Sequence, residues 1–171
     1  MTHAITTALL WFSAIGCGLL AGVYFSFSTF IMSALGRIET PAGITAMNSI
    51  DAVILRSPFM PLFLGSSLTA LILAGIALFQ WHQPGSSAAF AGGAIYVIGM
   101  FFCTMAFNVP LNNALASVDP ASANGADVWA RYLRDWTFWN HVRTIASTLA
   151  MALFIYAIAA NFQALQTGTK N

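Results

Sequence analysis

Between Ile5 and Leu35 the chain carries no charged side chain, and a run of that length exceeds the ~20 residues an α-helix needs to cross a bilayer. Three further stretches behave the same way: about Phe59 to Trp81, Ala88 to Phe107, and a last one that starts near Arg143, its one charge, and ends near Leu165. Backbone groups in lipid must be satisfied internally, and runs this long are helices rather than the alternating segments of about ten residues that build a barrel. The sequence therefore predicts one domain, residues 1–171, with an all-α integral membrane fold. It is a four-transmembrane-helix bundle with spans at about 5–35, 59–81, 88–107 and 143–165 and short amphipathic helices in connections 1–2 and 3–4.

Composition agrees with lipid as the main solvent. Of 171 residues 58% are hydrophobic and only 6% charged, against about a quarter in an ordinary soluble domain. The net charge of +1, without any run of Lys or Arg, removes nucleic acid as a partner and leaves no polybasic tail for lipid headgroups. The first apolar run is far longer than the ~7–15 residues of a signal-peptide core, so it is expected to remain as a helix.

The charges sit on one face. All five acids and five of the six basic residues lie in or beside connections 1–2 and 3–4, which share a side of the membrane when four spans cross it. The other face has only His3, His82 and Lys170. Lys/Arg counting makes the charged face cytoplasmic and puts both termini outside. Small residues thin two helices: Gly18 and Gly22 form a GxxxG in the first, and Gly92, Gly93 and Gly99 line the third. Close helix crossings are expected there. A homo-oligomer built on Gly18 and Gly22 is the alternative use of the first pair.

Three segments can carry chemistry. On a helix turning about 100° per residue, Trp129, Tyr132, Trp136, Trp139, Asn140 and Arg143 share one side, with His141 on the other. An aromatic wall ending in an amide and a guanidinium suits a flat, oxygen-bearing ring, although Trp, Tyr and Arg also gather at membrane interfaces for amphipathic reasons alone. Asn108 and Asn112 flank Pro110 at the end of the third span, where they can either repair the proline's missing hydrogen bond or face a ligand. Asp51 lies in the apolar stripe of Ile44, Met47, Ile50 and Ile54. A carboxylate there needs a partner, with Arg143 or an asparagine amide as candidates, and desolvation would make it a base. No HExxH, CxxC, GxGxxG or GxSxG occurs, and Cys17 and Cys103 read as small core residues.

The segments Asn108-Val-Pro-Leu-Asn112 and Trp136-Thr-Phe-Trp-Asn-His-Val-Arg-Thr144, with Met47-Asn-Ser-Ile-Asp51 upstream, resemble the pattern of the anthrone oxygenase family of small membrane proteins. The resemblance covers nearly the whole chain. It implies a cofactor-independent oxygenase, without metal or flavin, that acts on anthrone-like or polycyclic phenolic substrates. A ring C–H proton is removed and the resulting anion reacts with O2. Carried onto this sequence, Arg143 and Asn140, with Asn108 and Asn112, stabilise the oxyanion. Trp136, Trp139 and Tyr132 hold the rings, and Asp51 or His141 takes the proton. Asp51 stands where relatives are expected to carry Asn. A hydrophobic aromatic small molecule and the lipid bilayer are the expected partners, and the bacterial cytoplasmic membrane is the expected location. The rival class is a non-enzymatic membrane module that binds a lipid, a quinone or another hydrophobic small molecule.

Overall fold

The computed structural model describes residues 2–168. Five helices follow one another. Helix α1 runs over Thr2–Ser26, loosens to π-helix over Phe27–Ile31 and closes with Met32–Leu35. Helix α2 is Thr40–Ile54, and α3 is Phe59–Phe79. Helix α4 begins as Ser86–Tyr96, passes through π-helical Val97–Phe102 and Thr104–Asn108, and ends as Val109–Ala116. Helix α5 is Ala123–Gly168. Four of the five contain segments long and apolar enough to cross a membrane, namely Ala4–Leu35, Phe59–Phe79, Ser86–Ala116 and Ala123–Ala164. The exception is the amphipathic α2. Of the three polar residues assigned to the sparsely charged face, Lys170 lies outside the described residues.

Connections 1–2 and 3–4 are built differently. Ser57-Pro58 separates α2 from α3, because proline ends a helix by removing a donor and crowding the preceding turn. In connection 3–4 the amphipathic stretch joins the last span without a break, so the fourth long helix starts at Ala123 and not near Arg143. Between Ala126 and Thr167 there is neither Gly nor Pro to interrupt it. Helix α4 likewise runs past residue 107 and through Pro110 to Ala116. The preceding turn widens to π spacing, so the chain absorbs the proline without a break.

Packing is close where small residues allow it. A Cβ at Gly93 would collide with the Ala70 carbonyl on α3, and one at Gly99 with the Ala146 side chain on α5. Gly18 backs onto Met151 of α5 within the same chain, whereas Gly22 faces open space. Two apolar clusters result. The larger joins Leu20, Tyr24, Phe63, Tyr96, Met100 and Phe154 through the middle of the bundle. The smaller joins Phe27, Ile44, Met47, Trp129, Tyr132 and Trp136, where α2 docks on α5.

With connections 1–2 and 3–4 at the same end, Gln83→Cys and Asn124→Cys, both exposed positions, are expected to react with a membrane-impermeant maleimide from opposite sides. Labelling of both from one side would contradict the four-span topology.

Candidate functional site

The seam between the two apolar clusters holds a cavity of about 130 Å³, walled by α1, α2, the start of α3, α4 and α5 and open on one side. Its inner wall carries Tyr24, Phe27, Trp136, Thr104 and Arg143, and Asp51 and Asn112 meet it from α2 and α4. Each of these side chains is set by the local helix. The α5 stripe predicted from 100° spacing forms a stacked ladder, Trp129 on Tyr132 and Tyr132 on Trp136, with ring centroids 5.7 Å apart at each step. Two of the three π-helical stretches reach the cavity: Phe27 belongs to the one in α1, and Thr104 to the second in α4. Such widened turns shift side chains out of the regular register and recur at functional sites.

Arg143 is 5% exposed. One Nη donates to Asn140 Oδ1 at 2.7 Å, the other to Thr104 Oγ1 at 3.5 Å, and Nε has no partner. The guanidinium carbon lies 4.5 Å from the centroid of the Tyr24 ring and 5.0 Å from that of Trp136, so cation–π attraction offsets part of its desolvation. No carboxylate pairs with it. Among the described residues the one ion pair is Arg134 with Asp135, on the surface. Asn140, fully buried, holds the arginine in place: its amide donates to the Tyr24 carbonyl at 2.7 Å and to Ser28 Oγ at 2.8 Å, leaving its oxygen for the guanidinium.

Asp51 takes its hydrogen bond from an asparagine and not from the arginine. Asn112 Nδ2 donates to Asp51 Oδ1 at 2.7 Å, and the Tyr132 hydroxyl donates to Asn112 Oδ1 at 2.8 Å. The chain Tyr132–Asn112–Asp51 fixes the carboxyl at the cavity wall. Desolvation at the half-buried position raises the Asp51 pKa above its ordinary value, and the Asn112 hydrogen bond opposes part of that rise.

The other sequence candidates lie away from the cavity. Asn108 is buried and donates to the Trp136 carbonyl at 3.2 Å, which ties α4 to α5 beside the proline. The Trp139 ring faces outward and stacks on Phe107 at 3.6 Å between centroids. His141 is exposed on the opposite face of α5 from Arg143. Tyr132 and Asn140 act behind the wall, through Asn112 and Arg143. Sequence reasoning missed Tyr24, Phe27, Ser28 and Thr104. The cluster of hydroxyl residues from Ser26 to Thr29 inside an otherwise apolar run was a usable signal for the α1 contribution.

The sequence model of a family described as anthrone oxygenase matches residues 55–153, more than half of the chain. The chain belongs to the anthrone oxygenase family. The matched region contains Asn112, Trp136, Asn140 and Arg143, while Tyr24, Phe27 and Asp51 come from the part that precedes it. No curated protein and no solved structure matches the chain. An oxygenase-type family, a multi-pass membrane architecture and one cavity lined by a guanidinium and a carboxyl are therefore the established frame for this anthrone oxygenase relative.

Proposed function

We propose that this family member binds a hydrophobic hydroxyaromatic compound in the α1–α5 cavity and oxidises it with O2. What supports the reading is the buried Arg143, a cation without an ion-pair partner, at the wall of a mostly apolar cavity that also carries Asp51, Asn112 and Thr104. Burying an unpaired charge is costly, and a ligand oxyanion would supply what the protein withholds.

In this reading the substrate places its phenolic or carbonyl oxygen against Arg143 and its ring among Tyr24, Phe27 and Trp136. Asp51, in its ionised form, removes a proton from an activated ring CH2. The electron pair left behind delocalises onto the oxygen at Arg143, where the planar guanidinium stabilises it. The anion transfers its electrons to O2, forms a C–O bond and takes up a proton as a hydroperoxide. Loss of the second C–H proton with cleavage of the O–O bond gives the ketone and water. Both electron pairs come from the substrate, so CH2 plus O2 balances C=O plus H2O without another reductant. The protein contributes position, charge and a base.

Oxygen uptake by the purified protein with a panel of anthrones and hydroquinones tests the proposal. Uptake matched by ketone formation supports it. Tight binding of the same compounds without oxygen uptake would favour a membrane module that only binds them. The outward position of His141 adds a second check: His141→Gln is expected to change turnover less than about threefold, as for a surface substitution remote from the site. Abolished turnover in that variant would move the base from Asp51 to the histidine.

A further inference from the structure

We propose that Tyr132 is a positioning residue for the base: its hydroxyl holds the Asn112 amide in the one orientation that turns an N–H toward Asp51, and so favours the carboxylate over the carboxylic acid. The proposal deepens the reading above and rests on it for the role of Asp51.

The aromatic ladder on α5 reaches further back than the cavity. Trp136 lines the wall, but Tyr132 stands behind it, 1% exposed and stacked between Trp129 and Trp136 at 5.7 Å on either side. Stacking fixes the ring and therefore the place of its hydroxyl. That hydroxyl makes one hydrogen bond among the described residues, to Asn112 Oδ1 at 2.8 Å, and the other end of the same amide donates to Asp51 Oδ1 at 2.7 Å.

A carboxamide is a donor at one end and an acceptor at the other, and a half-turn exchanges them. The ionised carboxyl only accepts, so it needs the N–H end. The acid carries an O–H and is served as well by the oxygen end, which requires the amide to turn over. Turning it over presents the NH2 group to Tyr132, whose phenolic proton then loses its acceptor at a buried position. A buried donor left without a partner is costly, so Tyr132 opposes the orientation that suits the acid. The Asn112 hydrogen bond already holds down part of the rise that burial imposes on the Asp51 pKa. Asp51 is the only ionisable residue of α2. Tyr24 of α1 and Arg143 of α5 share the cavity wall with it, and α3 and α4 present no ionisable group there. Neither Tyr24 nor Arg143 hydrogen-bonds to Asn112, so the orientation of the amide is set between Asp51 and Tyr132.

The test is infrared titration of the Asp51 carboxyl, read as the carboxylic-acid C=O band that Asp51→Asn removes, with the protein in lipid nanodiscs. Tyr132→Phe, which keeps the stacked ring, is expected to raise the midpoint by about one pH unit, the size of one ordinary hydrogen bond. The acid limb of kcat/KM is expected to move with it. A ring-fluorinated tyrosine in place of Tyr132 keeps the packing and donates more strongly, so it is expected to lower the midpoint; it also covers the case of a Phe variant that fails to fold. In an Asn112→Ala background the effect of Tyr132→Phe is expected to vanish, because the amide carries it. A midpoint unmoved by either change at Tyr132, or a shift that survives Asn112→Ala, would overturn the proposal. The titration needs neither substrate nor turnover. A shifted midpoint in a protein that takes up no oxygen would leave Tyr132 its role and sink the oxygenase reading, whereas turnover with an unmoved midpoint would do the reverse.

Discussion

Arg143→Lys is expected to lower turnover by about 10²–10³-fold, the usual effect of losing one preorganised donor to a developing oxyanion, while the bundle stays folded. The guanidinium uses one nitrogen on Asn140, reaches Thr104 with another and spreads its plane over Tyr24 and Trp136. An ammonium keeps the charge but offers a single point of attachment, so it cannot hold Asn140 and face a flat oxyanion together. Melting temperature and oxygen uptake measured on the same detergent preparation check this. Full turnover in a stable Lys variant would show that the arginine is a structural cation. Asn140→Leu is the complementary case, since it strips Arg143 of its 2.7 Å acceptor and is expected to reduce stability as well as turnover.

Asp51→Asn is expected to be as damaging to turnover, by about 10²–10⁴-fold for a lost general base, yet harmless to the fold. The direction of the pKa shift explains the contrast. Desolvation raises the folded-state pKa of Asp51 above its unfolded value, so the folded protein holds the proton more tightly. The stability this adds is present below the unfolded pKa and lost as pH rises through the folded one. At neutral pH the carboxylate is thus a liability that the neutral amide removes, and the variant is expected to melt no lower than wild type. In wild type, kcat/KM is expected to climb with pH through a value above the ordinary Asp range and then level off. A flat acid limb, together with full activity in Asp51→Asn, would mean that the carboxyl serves only to anchor Asn112.

The α5 stripe shows how far helical periodicity reaches. Spacing alone placed Trp129, Tyr132, Trp136, Asn140 and Arg143 on one face, and in the structure they are all buried, with His141 outside. Trp139 was assigned to the same side but stands at its edge, where Phe107 of α4 captures the ring. Periodicity says which residues share a face of one helix, and it cannot say where the neighbouring helix stops covering that face. Asp51 illustrates the same boundary. Its place in an apolar stripe required a partner, and the sequence left Arg143 and an asparagine amide equally open. The fold chose Asn112 by bringing the end of α4 beside α2.

What the sequence by itself determined is the part governed by local rules: four apolar runs of spanning length, an amphipathic helix in connection 1–2, and the aromatic stripe. The unbroken α5 was not among them: the sequence reading divides it into a short amphipathic helix and a span at about 143–165, although nothing between Ala126 and Thr167 interrupts a helix. Only the tertiary structure decided the site. Tyr24, Phe27 and Ser28 lie more than a hundred positions before Arg143 in the sequence, and π-helical turns in α1 and α4 rotate residues away from the face that regular spacing assigns them. Helix crossings set by glycines and alanines bring those residues to one cavity. The physical reason is that a buried charge is defined by everything around it, and the groups around Arg143 come from three helices whose mutual positions no local pattern encodes.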